Sequence, residues 1–102
     1  MQDKMDLINE DQKKIAKYAK VLSHPVRIYI IDLLRKQTCC YSGDLAQELP
    51  IAKSTLSQHL RELKNAGLIQ GEINLPRIKY CLNRQTWEEA KFLLKSFLSE
   101  NN

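Results

Sequence analysis

Residues 54–68 read Ser-Thr-Leu-Ser-Gln-His-Leu-Arg-Glu-Leu-Lys-Asn-Ala-Gly-Leu, and they are the part of the chain most informative about its fold. The leucines before its glycine recur at i, i+4 and i+7, which puts apolar side chains on one face of a helix: Leu56, Leu60 and Leu63. Ser54 is the candidate N-cap, and Gly67 stands where a left-handed C-terminal cap belongs. We therefore expect a helix from Ser54 through Ala66 whose leucines face the core.

Two further helices are predicted upstream of this stretch. Apolar residues at helical spacing indicate one helix over about 6–22 and a second over about 25–36. Ile28, Tyr29 and Ile31 widen the apolar stripe of the second helix. We therefore expect this helix to be buried on much of its circumference.

A short strand and a short helix are predicted next. Thr38-Cys39-Cys40-Tyr41 favours a brief strand, because its residues are mostly β-branched, aromatic or cysteine. Ser42 or Asp44 then caps a short helix, which ends before a turn at 50–53. This short helix, the turn and the leucine helix together read as a helix-turn-helix.

The last third of the sequence predicts a hairpin and a final helix. Two strands are expected, over 68–73 and 77–82, separated by the turn residues Asn74-Leu75-Pro76. Thr86 and Glu89 form a capping-box pattern that begins the last helix. The predicted order is α-α-β-α-α-β-β-α. It describes a mainly α domain with a small β-hairpin, the winged helix-turn-helix.

Length and composition are those of one globular domain. The chain has 102 residues, of which 43% are hydrophobic and 27% charged, so we expect residues 1–102 to form a single domain. No apolar run approaches the roughly 20 residues that cross a bilayer, and the acidic N-terminus is unlike a secretory signal. The three cysteines form no disulfide framework, which indicates the reducing cytoplasm. So short a chain buries only about 65% of its unfolded surface, which favours a dimer.

The net charge of +4 is concentrated in one part of the chain. Residues 50–80 carry five bases against two acids, whereas the rest of the chain is close to neutral. A local basic surface suits a polyanion such as nucleic acid, since each neutralised phosphate releases counterions. A solvated face of a mildly basic protein is the alternative interpretation.

The polar side of the leucine helix carries small groups suited to reading DNA. A helix fits the major groove, and its first two turns meet the base edges. The residues expected to read bases are Ser54, Thr55, Ser57 and Gln58. The residues expected to hold the DNA backbone are Lys53, Arg61, Arg77 and Lys79, of which the last two alternate with apolar residues on one hairpin strand. A winged-helix module that binds protein rather than DNA is the alternative function.

Two stretches of the chain resemble the ArsR/SmtB-type winged-helix repressors. Residues 22–34, Leu-Ser-His-Pro-Val-Arg-Ile-Tyr-Ile-Ile-Asp-Leu-Leu, resemble the family pattern L-x-x-P-x-R-x-x-I-L-x-L-L. Residues 54–68 resemble its recognition-helix pattern S-x-x-S-x-H-L-x-x-L-x-x-A-G-L. The resemblance covers about residues 14–98. It implies a repressor that binds an inverted-repeat operator in double-stranded DNA, forms a homodimer through flanking helices in 1–24 and 84–102, and is released by an inducer.

The cysteines leave the nature of the inducer open. Metal sensors of this family carry a Cys-x-Cys-Asp-Leu pattern, but here Tyr41 and Gly43 occupy the cysteine positions. Cys39 and Cys40 lie in the predicted short strand, and Cys81 lies in the second hairpin strand; if the two strands pair, one of the first two cysteines lies beside Cys81. The thiols can then bind a thiophilic metal or metalloid ion, or oxidise. Alternatively, they are small packed hydrophobes.

The two histidines are predicted to be structural. His24 is expected to cap or pack between two helices, and His59 to lie at the inner edge of the recognition helix. No carboxylate stands at ligand spacing from either, so no metal site is predicted at the histidines. The sequence shows no Ser-His-Asp order, phosphate-binding glycine loop or paired carboxylates, and we therefore expect no enzyme.

Overall fold

The structure is a computed structural model that describes residues 7–36, 41–43, 45–74 and 77–99. Within these residues the elements follow one another in the predicted order: α1 (Glu10–Val21), α2 (Pro25–Arg35), β1 (Tyr41–Gly43), α3 (Leu45–Glu48), α4 (Lys53–Asn65), β2 (Ile69–Asn74), β3 (Arg77–Leu82) and α5 (Arg84–Ser99). The fold is the mainly helical one with an antiparallel hairpin that the sequence predicts. None of the described helices is long and apolar enough to cross a membrane.

The three strands form one antiparallel sheet in the order β1-β3-β2. β2 and β3 make the hairpin, with Ile69 paired to Leu82. β1 adds to the other edge of β3, with Tyr41 opposite Tyr80. The short strand thus joins the hairpin sheet. It is described over 41–43, and residues 38–40 of the predicted 38–41 lie outside the described part of the chain.

The hydrophobic core lies between the helices and the sheet. The leucine stripe of α4 is fully buried, as predicted: Leu56, Leu60 and Leu63. These leucines share one cluster with Ile30 and Leu34 of α2 and with Tyr80 of β3. Full burial of one leucine side chain stabilises a fold by about 1.5–3 kcal/mol, so this stripe anchors α4 firmly.

α2 is less enclosed than the sequence predicts. Ile30, Ile31 and Leu34 are buried, but Ile28 and Tyr29 are 49% and 44% exposed. Each residue advances a helix by about 100°, so Ile28 lies on the opposite side of the axis from Ile30. The expected burial of Ile28 and Tyr29 is therefore wrong, because α2 packs on the domain with one side only.

The ends of α4 are set by backbone geometry rather than by a side-chain cap. The helix begins at Lys53 after Ala52, whose side chain makes no capping hydrogen bond. The prediction that Ser54 is the N-cap is thus wrong, since Ser54 already lies in the first turn. The C-terminal cap is confirmed: Gly67 has φ +83° and its amide donates to the carbonyl oxygen of Lys64.

Asparagines begin the first and last helices. α5 starts at Arg84, and Oδ1 of Asn83 accepts a 3.3 Å hydrogen bond from the amide of Thr86. The prediction that Thr86 is the cap is wrong, because an equally good capping residue stands three positions earlier. In the same way α1 begins at Glu10, directly after its cap Asn9, rather than near residue 6.

Candidate nucleic-acid interface

The N-terminal half of α4 presents a polar side to solvent. Its exposed residues are Lys53, Ser54, Thr55, Gln58 and Arg61. The buried leucines determine this orientation, because they occupy the opposite side of the helix. Ala52 makes no side-chain capping hydrogen bond to the first turn, and the amide groups at the start of a helix can bind an anion such as a phosphate.

Ser57 departs from the predicted reading face. It is only 5% exposed, and its hydroxyl is buried with no hydrogen-bond partner among the described residues. Successive helical residues lie about 100° apart, so Ser57 stands on the flank of the buried stripe that Leu56 begins. The expectation that Ser57 lies on the outer face is therefore wrong. The outer face consists of Ser54, Thr55 and Gln58. Lys53 and Arg61 are the cations at its two ends.

His59 lies on the other flank of the stripe and is buried. Its Nδ1 accepts a 3.0 Å hydrogen bond from Nε of Arg27, and its ring packs beside that of His24 with 4.2 Å between centroids. Burial, and then the nearby charges of His24 and Arg27, lower the pKa of His59. The predicted structural role of His59 is confirmed, and the residue joins α4 to α2.

The beginning of α2 supplies both partners of His59. His24 is the N-cap of α2, and its Nδ1 accepts a 3.1 Å hydrogen bond from the amide of Val26, as expected of a capping residue. Nη1 of Arg27 also donates to the carbonyl oxygen of Val21 at 3.3 Å. The sequence predicts no contact for Arg27, although Arg27 and His59 are both specified positions of the two family patterns.

The hairpin is tied to the C-terminal end of α4. Nζ of Lys64 donates a 2.7 Å hydrogen bond to the carbonyl oxygen of Gly71 in β2. Lys79 is exposed on β3, and Arg77 stands two positions earlier at the start of that strand. The side chain of Arg77 and the turn at 75–76 lie outside the described part of the hairpin. No sequence pattern predicts the Lys64 contact, because it depends on the packing of helix against sheet.

The cysteines are only partly described. Cys81 lies in β3 opposite Gln70 of β2 and is disulfide-bonded. Cys39 and Cys40 lie outside the described residues. Within the described ranges, no group of three or more His, Cys, Asp or Glu residues is placed to hold a metal ion.

A short helix, a turn and a helix with an exposed polar face, followed by a hairpin, define a winged helix-turn-helix, a class of DNA-binding fold. Residues 24–70, which extend from the cap of α2 into β2, match the profile "Bacterial regulatory protein, arsR family".

Individual relatives agree with this match. The chain is 34% identical over 80 residues to the "Biofilm growth-associated repressor" of Xylella fastidiosa (strain Temecula1), which covers 74% of this chain and 69% of the relative. It is 30% identical over 83 residues to the "Transcriptional repressor SdpR" of Bacillus subtilis (strain 168), covering 81% and 91%. Its fold is similar to that of the "ArsR-like Transcriptional Regulator from Rhodococcus sp. RHA1", with a TM-score of 0.62 at 21% identity over 85% of this chain and 81% of that one. The chain therefore belongs to the ArsR family, whose members are transcriptional regulators rather than enzymes.

Proposed function

We propose that this protein is a sequence-specific transcriptional repressor that binds an inverted-repeat operator as a homodimer and leaves the operator in response to an inducer. The observation that carries the proposal is the orientation of α4. With its leucines buried, Ser54, Thr55 and Gln58 are exposed together on the first two turns, the part of a recognition helix that meets base edges. Two relatives named above are repressors, which supports negative control.

Different residues are proposed to read the bases and to bind the DNA backbone. The amide of Gln58 can bond N6 and N7 of an adenine together, and the hydroxyls of Ser54 and Thr55 can bond several bases. Cations fix the register on the phosphates without reading sequence, and the proposed ones are Lys53, Arg61, Arg77 and Lys79.

The test is to select duplexes from a random library with the full-length protein. Fluorescence anisotropy then compares the selected duplex with a scrambled duplex of the same composition. We expect an inverted repeat to be enriched and to bind at least about 10³-fold more tightly than the scrambled duplex. A winged-helix module that binds protein instead would retain no duplex even at low salt, where nonspecific DNA affinity is greatest.

A second copy of the chain is the proposed partner of the apolar face that α1 and α5 share. Phe97 and Leu98 of α5 are 59% and 76% exposed. A cavity of about 430 Å³ lies between the two helices and is lined by Leu7, Ile8, Gln12, Ile15, Ala16 and Phe97. A contiguous apolar patch of this kind marks an interaction site, and two-fold pairing covers it with an identical patch.

Sedimentation equilibrium tests the homodimer. We expect a mass of twice 11.9 kDa for the wild-type protein and a monomer for Phe97→Glu, which places a charge in the apolar patch. Gln85→Glu introduces the same charge at an exposed position near the start of α5 and should remain dimeric. A wild-type monomer at concentrations that saturate the operator would contradict the homodimer.

The inducer proposed for this protein is a signal that acts on thiols, and the disulfide at Cys81 favours it. β3 belongs to the hairpin, so making or breaking a covalent link there acts on an element proposed to hold DNA. Oxidation of two thiols releases two protons and two electrons, which a peroxide accepts as it is reduced. A thiophilic metal or metalloid ion held by thiolates of Cys39, Cys40 and Cys81 is the alternative signal.

Release of the operator distinguishes these signals. The reduced protein is bound to the selected duplex and then titrated with peroxide or with arsenite. Release by peroxide alone supports a disulfide switch, and release by arsenite alone supports a thiophilic site. An unchanged response after Cys39, Cys40 and Cys81 are all replaced by serine would leave these cysteines a packing role only.

A further inference from the structure

Arg27 lies where three helices meet, and its guanidinium contacts two elements besides its own helix. Nη1 donates to the carbonyl oxygen of Val21, the last residue of α1, at 3.3 Å. Nε donates to Nδ1 of His59 in α4 at 3.0 Å. The last carbonyls of a helix lack an intrahelical partner and carry the negative end of its dipole, which favours a cation there. Arg27 therefore connects the end of α1 to the recognition helix.

The bond between Arg27 and His59 requires a neutral imidazole without a proton on Nδ1, because a guanidinium can only donate. The surroundings favour that state. His24, also from α2, has its ring centroid 4.2 Å from that of His59. The charged groups from α1 and α4 border Arg27 in a cavity of about 420 Å³: Lys17, Lys20 and Glu62. Burial, and then the nearby charges of His24 and Arg27, disfavour a positive charge on the His59 ring.

The position of His59 determines where Gln58 points. The two residues are adjacent on α4, so their side chains leave the helix about 100° apart. The buried leucines set the side of α4 that faces the core, and holding the imidazole further restrains rotation of the helix about its axis and thus the direction of the Gln58 amide. A paired amide contact with a base edge depends on direction as well as distance, whereas contacts of flexible cations with phosphates tolerate a small rotation.

We infer that Arg27 is a positioning residue for base reading, acting through His59 to set the orientation of the α4 side chains that meet the bases. The inference rests on the proposed function, because it needs a duplex whose bases are read. A purely structural role would weaken binding to every duplex alike. A positioning role weakens binding to the selected duplex and leaves the affinity for the scrambled duplex unchanged.

Substitutions at both ends of the contact test the inference. Arg27→Lys keeps the charge but loses the planar fork, and His59→Leu removes the acceptor. For both variants we expect an affinity for the selected duplex lower by about tenfold, as for loss of one hydrogen bond to a charged group, and an affinity for the scrambled duplex within about twofold of the wild type. His59→Asn, which offers an oxygen acceptor near the position of Nδ1, should restore the discrimination. Equal losses on both duplexes, or no loss on either, overturn the inference.

The pH profile gives a readout that does not depend on an Arg27 variant folding. Acid protonates His59 and removes the acceptor. In the wild type, the ratio of the affinity for the selected duplex to that for the scrambled duplex should therefore fall as the pH is lowered. His24→Asn keeps an N-cap on α2 and should keep this profile, whereas His59→Asn should flatten it. A profile lost in His24→Asn and kept in His59→Asn overturns the inference. Failure of the wild type to enrich any duplex is a separate result, which counts against the proposed function.

Discussion

The hydroxyl of Tyr18 in α1 donates a 3.3 Å hydrogen bond to Oε1 of Glu89 in α5. Nζ of Lys14 lies 3.1 Å from the same carboxylate oxygen. The hydrogen bond from Lys14 is the main cause that lowers the pKa of Glu89, while burial and then the charge of Glu89 raise the pKa of Tyr18. This cluster joins helices from opposite ends of the chain, and these two helices present the exposed apolar face.

Glu89 should give the protein an acid-sensitive component of stability. Because the folded-state pKa of Glu89 lies below 4.5, its contribution is present above 4.5 and is lost as pH falls through the folded value. We expect Glu89→Gln to unfold at a lower temperature than the wild type at neutral pH and to lose less on acidification. Circular dichroism melts recorded from neutral to acidic pH provide the measurement. Glu88→Gln, which removes only a surface pair with Lys91, is the matched control, and identical acid dependence in all three proteins would contradict the prediction.

Gln58→Ala should relax sequence reading at one base pair of each half-site. The loss is roughly 1–3 kcal/mol for the base that the amide contacts, with little change for a scrambled duplex. Repeating the duplex selection with the variant should make that position degenerate in the consensus. Gln85→Ala removes an exposed amide from α5 and should leave the consensus unchanged. An intact consensus for Gln58→Ala would show that the reading face is assigned to the wrong residues.

Lys79→Ala and Arg77→Ala should weaken binding to all duplexes alike. Each substitution removes one proposed phosphate contact, so the slope of log K against log salt should become shallower by about 0.9. Anisotropy titrations at several salt concentrations measure this slope. Lys91→Ala removes a cation from α5 and serves as the control. A loss restricted to the selected duplex would mean that the hairpin reads bases instead of holding the backbone.

The spacing of apolar residues predicts the helices and strands of this fold, because buried side chains recur with the period of a helix or of a strand. The stripe of Leu56, Leu60 and Leu63 is fully buried. The same stripe correctly placed Gln58 on the exposed side, since the two sides of one helix determine each other. The glycine after α4 adopts the left-handed conformation because the chain must turn there into β2.

Residues on the flanks of that stripe are predicted less well: the inner position of His59 is confirmed, but the outer position expected for Ser57 is wrong. Ser57 and His59 lie on either side of the leucines, where a neighbouring element decides whether a residue is covered. The partner of His59 is Arg27, 32 residues earlier in the chain, and no local pattern encodes a contact of that range. The start of α5 is not predictable from the sequence for a different reason: Asn83 and Thr86 are both acceptable caps, and only the end of the preceding strand selects between them.

Ser57→Ala should leave operator binding unchanged and should not destabilise the protein. A buried hydroxyl without a partner costs roughly 1–3 kcal/mol, so its removal is neutral or stabilising even though a small volume is lost. Urea unfolding measures the stability, and anisotropy with the selected and scrambled duplexes measures discrimination. Reduced discrimination by Ser57→Ala would show that α4 turns in the complex and brings this hydroxyl to the bases.

Gly71→Ala should damage the hairpin severely. Gly71 has φ +142°, and a Cβ there would overlap the carbonyl oxygen of Lys79 and lie 3.0 Å from Cα of Tyr80. Both atoms belong to the backbone of the paired strand, so neither can rotate away. We expect Gly71→Ala to lower the free energy of unfolding, measured in urea, by at least about 3 kcal/mol.

Gly67→Ala is the matched control for this substitution. Gly67 also has positive φ, at +83°, but the nearest atom to its added Cβ would be 3.5 Å away, so only conformational strain of roughly 1 kcal/mol is expected. Because β3 also carries Lys79, Gly71→Ala should weaken binding to selected and scrambled duplexes together, whereas Gly67→Ala should not. Similar costs for the two substitutions would mean that β2 can move away from β3.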